Sequence, residues 1–110
     1  MAKTNVTPAA VELNGISAAL AFGNGNTTDG NAVSFKGQDT KTVIVFNASA
    51  AGSATVKAGT MIQGVKDIVL TVPEGISCAV VDSGYFLNDD QEVVVVPSAA
   101  TVKVAAVVLP

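Results

Sequence analysis

The sequence predicts an all-β fold: a single antiparallel two-sheet β-sandwich of seven or eight strands, either Ig-like or jelly-roll. Valine, isoleucine, threonine and phenylalanine crowd into short runs, and valine alone occurs 19 times. Glycine, asparagine, aspartate, serine and proline separate these runs, as they do between strands. The runs recur at roughly ten-residue spacing, which is typical of sandwiches. Helix is therefore expected in at most one or two turns.

The first third of the chain has the least regular pattern. Residues 11–13 are a candidate short strand. Residues 16–22 are apolar and fit either a strand or one helical turn, because periodicity does not decide over seven residues. Residues 23–31 have the glycine- and asparagine-rich composition of a surface loop, and residues 32–35 enter the next strand.

The strand signals are strong from residue 41 onward. Residues 41–47 (Lys-Thr-Val-Ile-Val-Phe-Asn) are β-branched almost throughout and predict a central strand. The turn Pro73-Glu74-Gly75 has proline preset for the second turn position and a glycine free to adopt positive φ, so the chain should reverse there. The remaining predicted strands are residues 53–57, 68–72, 76–82, 91–96 and 101–109.

One face of each strand should be buried against the facing sheet. Cys78 lies in an apolar run and is predicted to be a small buried hydrophobic residue. The predicted core consists of Phe35, Val43, Val45, Val56, Ile68, Leu70, Val72, Val80, Val94, Val102 and Val104.

The chain divides into a flexible N-terminal arm, residues 1–7, and a sandwich domain, residues 8–110. The arm is polar and precedes Pro8, so we expect it to stay out of the core and to order against a neighbouring molecule through Val6. Deleting residues 2–7 would then leave the melting temperature nearly unchanged. The alternative is that Asn5 and Val6 pair as an edge strand within the sandwich.

Composition excludes several classes of function. Six lysines, no arginine and a net charge of −3 provide no phosphate-binding patch, so nucleic acid is not an expected partner. No apolar run reaches the length of a membrane span. The chain has no histidine, and no nucleophile is placed beside a base, so we expect no enzyme, no catalytic residue and no cofactor. Only 14% of residues are charged, which fits equally a small valine- and threonine-rich β domain and a chain whose surface is partly covered by partners.

Two loop features are candidates for a binding site. Tyr85 and Phe86 could present aromatic faces to a sugar, although an anchor over the sandwich end is the simpler interpretation. Asp82, Asp89 and Asp90 could supply oxygen ligands to Ca²⁺, but the EF-hand spacing is absent and a solvated turn is favoured. No metal site is predicted.

The layout of the chain resembles a known class of viral proteins. The similarity lies in residues 41–59 (KTVIVFNASAAGSATVKAG), residues 67–75 (DIVLTVPEG), an aromatic at Phe86 followed by Asn88, and the closing residues 102–110 (VKVAAVVLP). This order is similar to that of small β-sandwich proteins encoded among the head genes of tailed bacteriophages. Such proteins often serve as capsid decoration or auxiliary head proteins.

The resemblance implies a non-enzymatic virion structural protein that binds the outer surface of a tailed-phage capsid and stabilises the shell. Its partners would be the major capsid protein and further copies of itself, with no nucleic acid and no membrane. It would be made in the bacterial host cytoplasm and located on the capsid exterior. The alternative is a carbohydrate- or receptor-binding β-sandwich module of a phage tail or cell surface. Position and polarity give the candidate partner-interface residues: Thr4, Asn5, Val6, Tyr85 and Phe86.

Overall fold

The computed structural model describes residues 2–17, 19–35, 41–60 and 63–110. Within these ranges the chain forms nine strands and one single-turn helix. They are β1 (Thr4–Val6), β2 (Ala9–Ala10), β3 (Asn31–Ser34), β4 (Thr42–Ala48), β5 (Gly52–Val56), β6 (Ile68–Val72), β7 (Gly75–Ala79), α1 (Ser83–Phe86), β8 (Glu92–Pro97) and β9 (Val102–Val108).

Two sheets face each other, so the predicted β-sandwich is confirmed. The five-stranded sheet has the order β1-β3-β8-β5-β6, and the four-stranded sheet has the order β2-β9-β4-β7. The pairs β1–β3 and β2–β9 are parallel and the other pairs are antiparallel. The sheets are therefore mixed rather than wholly antiparallel, because the two short N-terminal strands lie alongside existing edges.

The strand order distinguishes between the two predicted topologies. Strands pair in a nested series: β2 with β9, β3 with β8, β4 with β7 and β5 with β6. Every connection except β5–β6 crosses from one sheet to the other. This nested order is that of a jelly roll. Besides β2 and β4, strand β9 has a further, antiparallel partner: the isolated residue Gly23. Gly23 and Val104 each donate a backbone N–H to the other's carbonyl at 3.0 Å.

The described parts of residues 11–22 form neither strand nor helix. The helix α1 is a single turn, as expected for an all-β chain. No helix in the part of the chain that the structure describes is long and apolar enough to cross a membrane.

The core lies between the sheets and is built largely from valine. Its largest fully buried side chains are Phe35, Ile44 and Phe46. Strand β4 is central because it pairs with β7 on one side and β9 on the other, and its residues Ile44 and Phe46 point inward. Among the predicted core residues, those confirmed as buried are Phe35, Val45, Val56, Val72, Val102 and Val104.

Five predicted core positions are not fully buried. Ile68 and Val80 are exposed, while Val43, Leu70 and Val94 are half-buried. In β8 the inward positions are instead Val93 and Val95, both completely buried. Four consecutive valines carry no alternation, so the sequence pattern could not fix which pair faces inward.

In β4 the inward positions are likewise Ile44 and Phe46 rather than Val43 and Val45. The remaining deviations, in β6 and β7, come from the free edges of the sheets. Ile68 and Leu70 share a face of β6 with the buried Val72, but β6 ends its sheet and no other described strand pairs beyond it. Val80 follows the exposed alternate positions of β7, Ile76 and Cys78, so it points out of the sandwich.

The predicted turn after β6 is confirmed, but the strand that follows it does not pair with β6. Gly75 has φ +100°, a conformation that favours glycine. Strand β7 does not return alongside β6, because it joins β4 in the other sheet. The turn therefore connects the two sheets at one flank of the sandwich.

The N-terminal segment belongs to the sandwich, so the expectation of an arm outside the core is wrong. Strand β1 pairs with β3, and Val6 is buried in the core with 5% exposure. The Thr4 N–H donates to the Gly30 carbonyl at 3.0 Å, and the Asn26 side chain donates to the Ala2 carbonyl at 3.1 Å. The structure thus agrees with the alternative of an edge strand.

The predicted loop before β3 is tightly bonded. The buried Asn31 side chain accepts from the Asn26 N–H at 2.8 Å and donates to the Asn24 carbonyl at 3.1 Å. Gly25 lies against the turn before β9, where its N–H donates to the Ala100 carbonyl at 3.0 Å.

We expect Gly25→Ala to destabilise the fold by about 1–3 kcal/mol. A methyl group there would lie 2.5 Å from the Ala99 carbonyl oxygen and 2.7 Å from that of Val102, so backbone must move. Gly23→Ala is the matched control, because its nearest contact would be an ordinary 3.8 Å from the Thr4 methyl group. Urea unfolding of both variants tests this, and equal losses would contradict it.

Candidate interaction surface

Among the strands that the structure describes, two free edges lie at one flank of the sandwich. Strand β6 ends the five-stranded sheet and β7 ends the four-stranded sheet, and residues 73–74 join them. We call this region, residues 66–80, the β6–β7 flank. An unpaired edge presents backbone N–H and C=O groups that another strand can bind.

Exposed apolar side chains concentrate on this flank. Eight large hydrophobic residues are exposed among the described residues, and half of them lie here. Their exposed fractions are 37% for Ile68, 66% for Val69, 69% for Ile76 and 73% for Val80. Ile76 and Val80 share one outer face of this flank, and neighbouring exposed apolar residues, unlike scattered single ones, are typical of an interaction surface.

The exposed positions of β7 form an apolar strip. Ile76 and Cys78 point outward from the four-stranded sheet, and Val80 follows them directly. Their neighbours across the sheet include Val45, opposite Cys78, and Ala105, opposite Val45. Both are nearly inaccessible, at 4% and 2% exposure, so the exposed large apolar side chains described on this face lie at β7. We call Ile76, Cys78 and Val80 the apolar strip.

A cleft opens between the sheets on the same flank. It has a volume of about 260 Å³ and runs between β6 and β7. Its apolar walls include Phe46, Leu70 and Val72, while Ser77 and Ala79 line the β7 side. Small side chains on the inner face of β7 thus leave the core partly open.

The charges near β6 divide into paired and unpaired groups. Lys57 forms an ion pair with Asp67 at 2.8 Å. The hydrogen bond from Lys57, together with the one from the Ala58 N–H, holds the pKa of Asp67 below its usual value. Lys66 and Glu74, just beyond the two ends of β6, form no ion pair with another described residue.

The structure separates the residues predicted to bind a partner. Val6 and Phe86 are buried in the core, at 5% and 9% exposure, so they are not available to a partner. Asn5 is exposed and Thr4 is half-buried, both on the edge opposite the β6–β7 flank. The role of Thr4, Asn5 and Tyr85 as contacts stays a prediction.

Tyr85 and Phe86 have different environments. Phe86 anchors α1 over the end of the sandwich, while the Tyr85 ring is 46% exposed. The two rings meet edge to face with centroids 6.5 Å apart. Leu87, which follows this pair, bridges Val93 on one side of β8, whereas β3 and then β1 lie on the other side of β8.

The aspartates of the same loop are not gathered around a common point. The Asp82 carboxylate accepts from the Gly84 N–H at 2.8 Å, and the Asp89 carboxylate accepts from the Thr60 hydroxyl at 2.6 Å. Among the described residues, no three histidine, cysteine, aspartate or glutamate side chains are placed to hold a metal ion.

A shallow polar pocket lies on the four-stranded sheet, beside β4 and β9. It has a volume of about 350 Å³ and is lined by Asn47, Ser49, Thr101 and Lys103. Amide, hydroxyl and ammonium groups converge there. No local sequence pattern indicates this pocket, because the cross-strand pair of Asn47 and Lys103 depends on the register of two distant strands.

The β6–β7 flank was not predicted from the sequence either. Cys78, predicted to be buried, is exposed. The small residues Ser77 and Ala79, alternating with Ile76, Cys78 and Val80, were the available signal. Comparisons with protein-family models, with curated proteins and with solved structures find no match to this chain.

Proposed function

We propose that this chain is a non-enzymatic structural protein that binds the outer surface of a tailed-phage capsid and stabilises the shell. The β6–β7 flank carries the proposal: it combines exposed apolar side chains with two unpaired strand edges. This surface suits lateral contact with another protein better than contact with a small substrate.

Stabilisation of a shell needs no chemistry at the bound protein. A protein that binds the assembled lattice, and not its dissociated subunits, stabilises the lattice by mass action. We assign the apolar strip as the capsid contact. The resemblance to phage head proteins supplies the partner, the major capsid protein, and the location on the virion exterior.

A carbohydrate-binding module is the second candidate, favoured by the polar pocket of Asn47, Ser49, Thr101 and Lys103. These side chains offer donors and acceptors for sugar hydroxyls. The pocket is shallow, and none of the chain's five aromatic residues lines it. For this reason we place capsid binding first.

Co-sedimentation separates the two candidates. The chain would be mixed with expanded heads that lack it, taken from the virus whose genome carries its gene, and in parallel with host envelope fragments. Our proposal expects saturable binding to the heads alone and a higher temperature of head disruption. Binding to envelope fragments alone would favour the carbohydrate module.

A further inference from the structure

We propose that a second copy of this chain docks on the free edge of β6. The two β6 strands would pair antiparallel about a two-fold axis at Leu70. Two five-stranded sheets would thereby become one continuous sheet of ten strands. This dimer forms without a capsid, so the proposal does not depend on capsid binding.

The hydrogen bonds of β5 show which backbone groups of β6 are free. The Ser98 N–H donates to the Ser53 carbonyl at 2.8 Å, and the Lys57 N–H donates to the Val94 carbonyl at 2.9 Å. Ser53 and Lys57 therefore point their backbone groups toward β8. Because direction alternates along a strand, Ala54 points toward β6 and bonds its register partner Leu70.

The neighbours of Leu70 consequently point away from the sheet. The N–H and C=O groups of Val69 and Thr71 lie on the free edge. With the axis at Leu70, Val69 stands opposite the partner's Thr71, and the symmetric pair repeats this contact. Each of these two pairs exchanges both of its N–H···O bonds. The Asp67 N–H then faces the carbonyl of the partner's Pro73, and only this one bond forms in that pair because proline has no N–H to donate.

Charge complementarity selects this register. It brings Lys66 opposite the partner's Glu74 at one end of the paired strands, and the symmetric pair at the other. Both side chains belong to exposed residues that lack an ion pair among the described residues. Asp67 does not compete for Lys66, because Lys57 already holds it at 2.8 Å.

Apolar contacts follow the same register. On the inner face, Leu70 meets the partner's Leu70, and Ile68 stands opposite the partner's Val72, whose side chain is already buried in its own core. Leu70 lines the cleft between the sheets, so its contact with the partner would close the mouth of that cleft. Directly opposed apolar side chains are the pairs that stabilise antiparallel sheets. Within β6 itself there is no charge and no proline to discourage such pairing.

The dimer would also combine two copies of the apolar strip. A two-fold axis perpendicular to the ten-stranded sheet places both four-stranded sheets on the same side of it. The β7 edges of the two copies then flank the axis. A partner that binds one strip would meet the second beside it.

Sedimentation equilibrium of the full chain at low ionic strength tests the register. We expect a monomer–dimer equilibrium in which Lys66→Glu, or Glu74→Lys, weakens association about tenfold. The double variant Lys66→Glu/Glu74→Lys should restore association to within about threefold, because the opposite charges meet again. Lys103→Glu is the matched control: it makes the same charge change on the other sheet and should leave the dimer unchanged.

Hydrogen exchange tests the backbone contacts. Protection of the Val69 and Thr71 amides should rise with protein concentration, whereas the Leu70 amide, bonded to Ala54, should be protected at every concentration. The proposal is overturned if the chain sediments as a monomer up to about 1 mM. It is equally overturned if both charge reversals leave association intact, or if the Val69 and Thr71 amides stay unprotected in a dimer.

Discussion

Phe46→Ala should lower the free energy of unfolding by about 3–5 kcal/mol. Phe46 is 2% exposed and lies in the central strand β4, between β7 and β9. Its removal would lose the favourable free energy of transferring the aromatic side chain from water to the core. It would also leave a cavity continuous with the cleft at the β6–β7 flank. Urea denaturation with a constant slope measures the loss.

The control for this prediction lies on the neighbouring strand. Ile76, the partner of Asn47 in β7, is 69% exposed on the outer face. We expect Ile76→Ala to change stability by no more than about 0.5 kcal/mol. Similar losses for the two variants would mean that the register of β4 and β7 is wrong, because one residue of slip exchanges the faces.

Deletion of residues 2–6, with Met1 retained, should destabilise the fold by about 2–4 kcal/mol and lower the melting temperature by roughly 10 °C. The deletion removes the buried Val6 and uncovers the edge of β3. It also removes the bonds that join Thr4 to Gly30 and Ala2 to Asn26.

Asn5→Ala provides the comparison within the same strand. Asn5 is exposed on the outer face, so this change should leave the melting temperature within about 2 °C of the wild type. A deletion variant that melts at the wild-type temperature would restore the picture of a mobile arm and would contradict the pairing of β1 with β3.

The sequence was sufficient to predict β4, a central strand, and β6, an edge strand. Runs such as residues 41–47 and 68–72 are β-branched over a strand's length. Their intrinsic strand propensity therefore agrees with the tertiary structure. The described strands β4 and β6 fall at these positions. The positive φ of Gly75 was also predictable, because the turn chemistry is local.

The failures have a common cause in non-local pairing. Strand β1 has three residues, and its place was set by the distant β3 and by Asn26 rather than by its own pattern. The inward face of β8 depends on the partners of Val93 and Val95, since the run of valines is uniform. A jelly roll is defined by which strand pairs with which, and the strand propensity of a segment does not indicate its partner strand.

The candidate interaction surface was missed for a related reason. Apolar residues at alternate positions predict a buried face, and Val80 was assigned to the core on that basis. An edge strand with small inner residues reverses the pattern: Ser77 and Ala79 face the cleft, while Ile76 and Val80 face outward. A free edge arises from the order of strands in the sheet, so the pattern of residues within one strand does not predict it.

The most direct test of the account is co-sedimentation of apolar-strip variants with expanded heads that lack the protein. We expect Ile76→Lys/Val80→Lys to reduce head binding at least about tenfold, because the charges would be buried without partners at the contact. Leu13→Lys/Ile16→Lys adds the same charges at positions that are 77% and 89% exposed, and it should bind heads as the wild type does. Both variants must melt near the wild-type temperature. Full head binding by the folded Ile76→Lys/Val80→Lys variant would contradict the assignment of the apolar strip as the capsid contact.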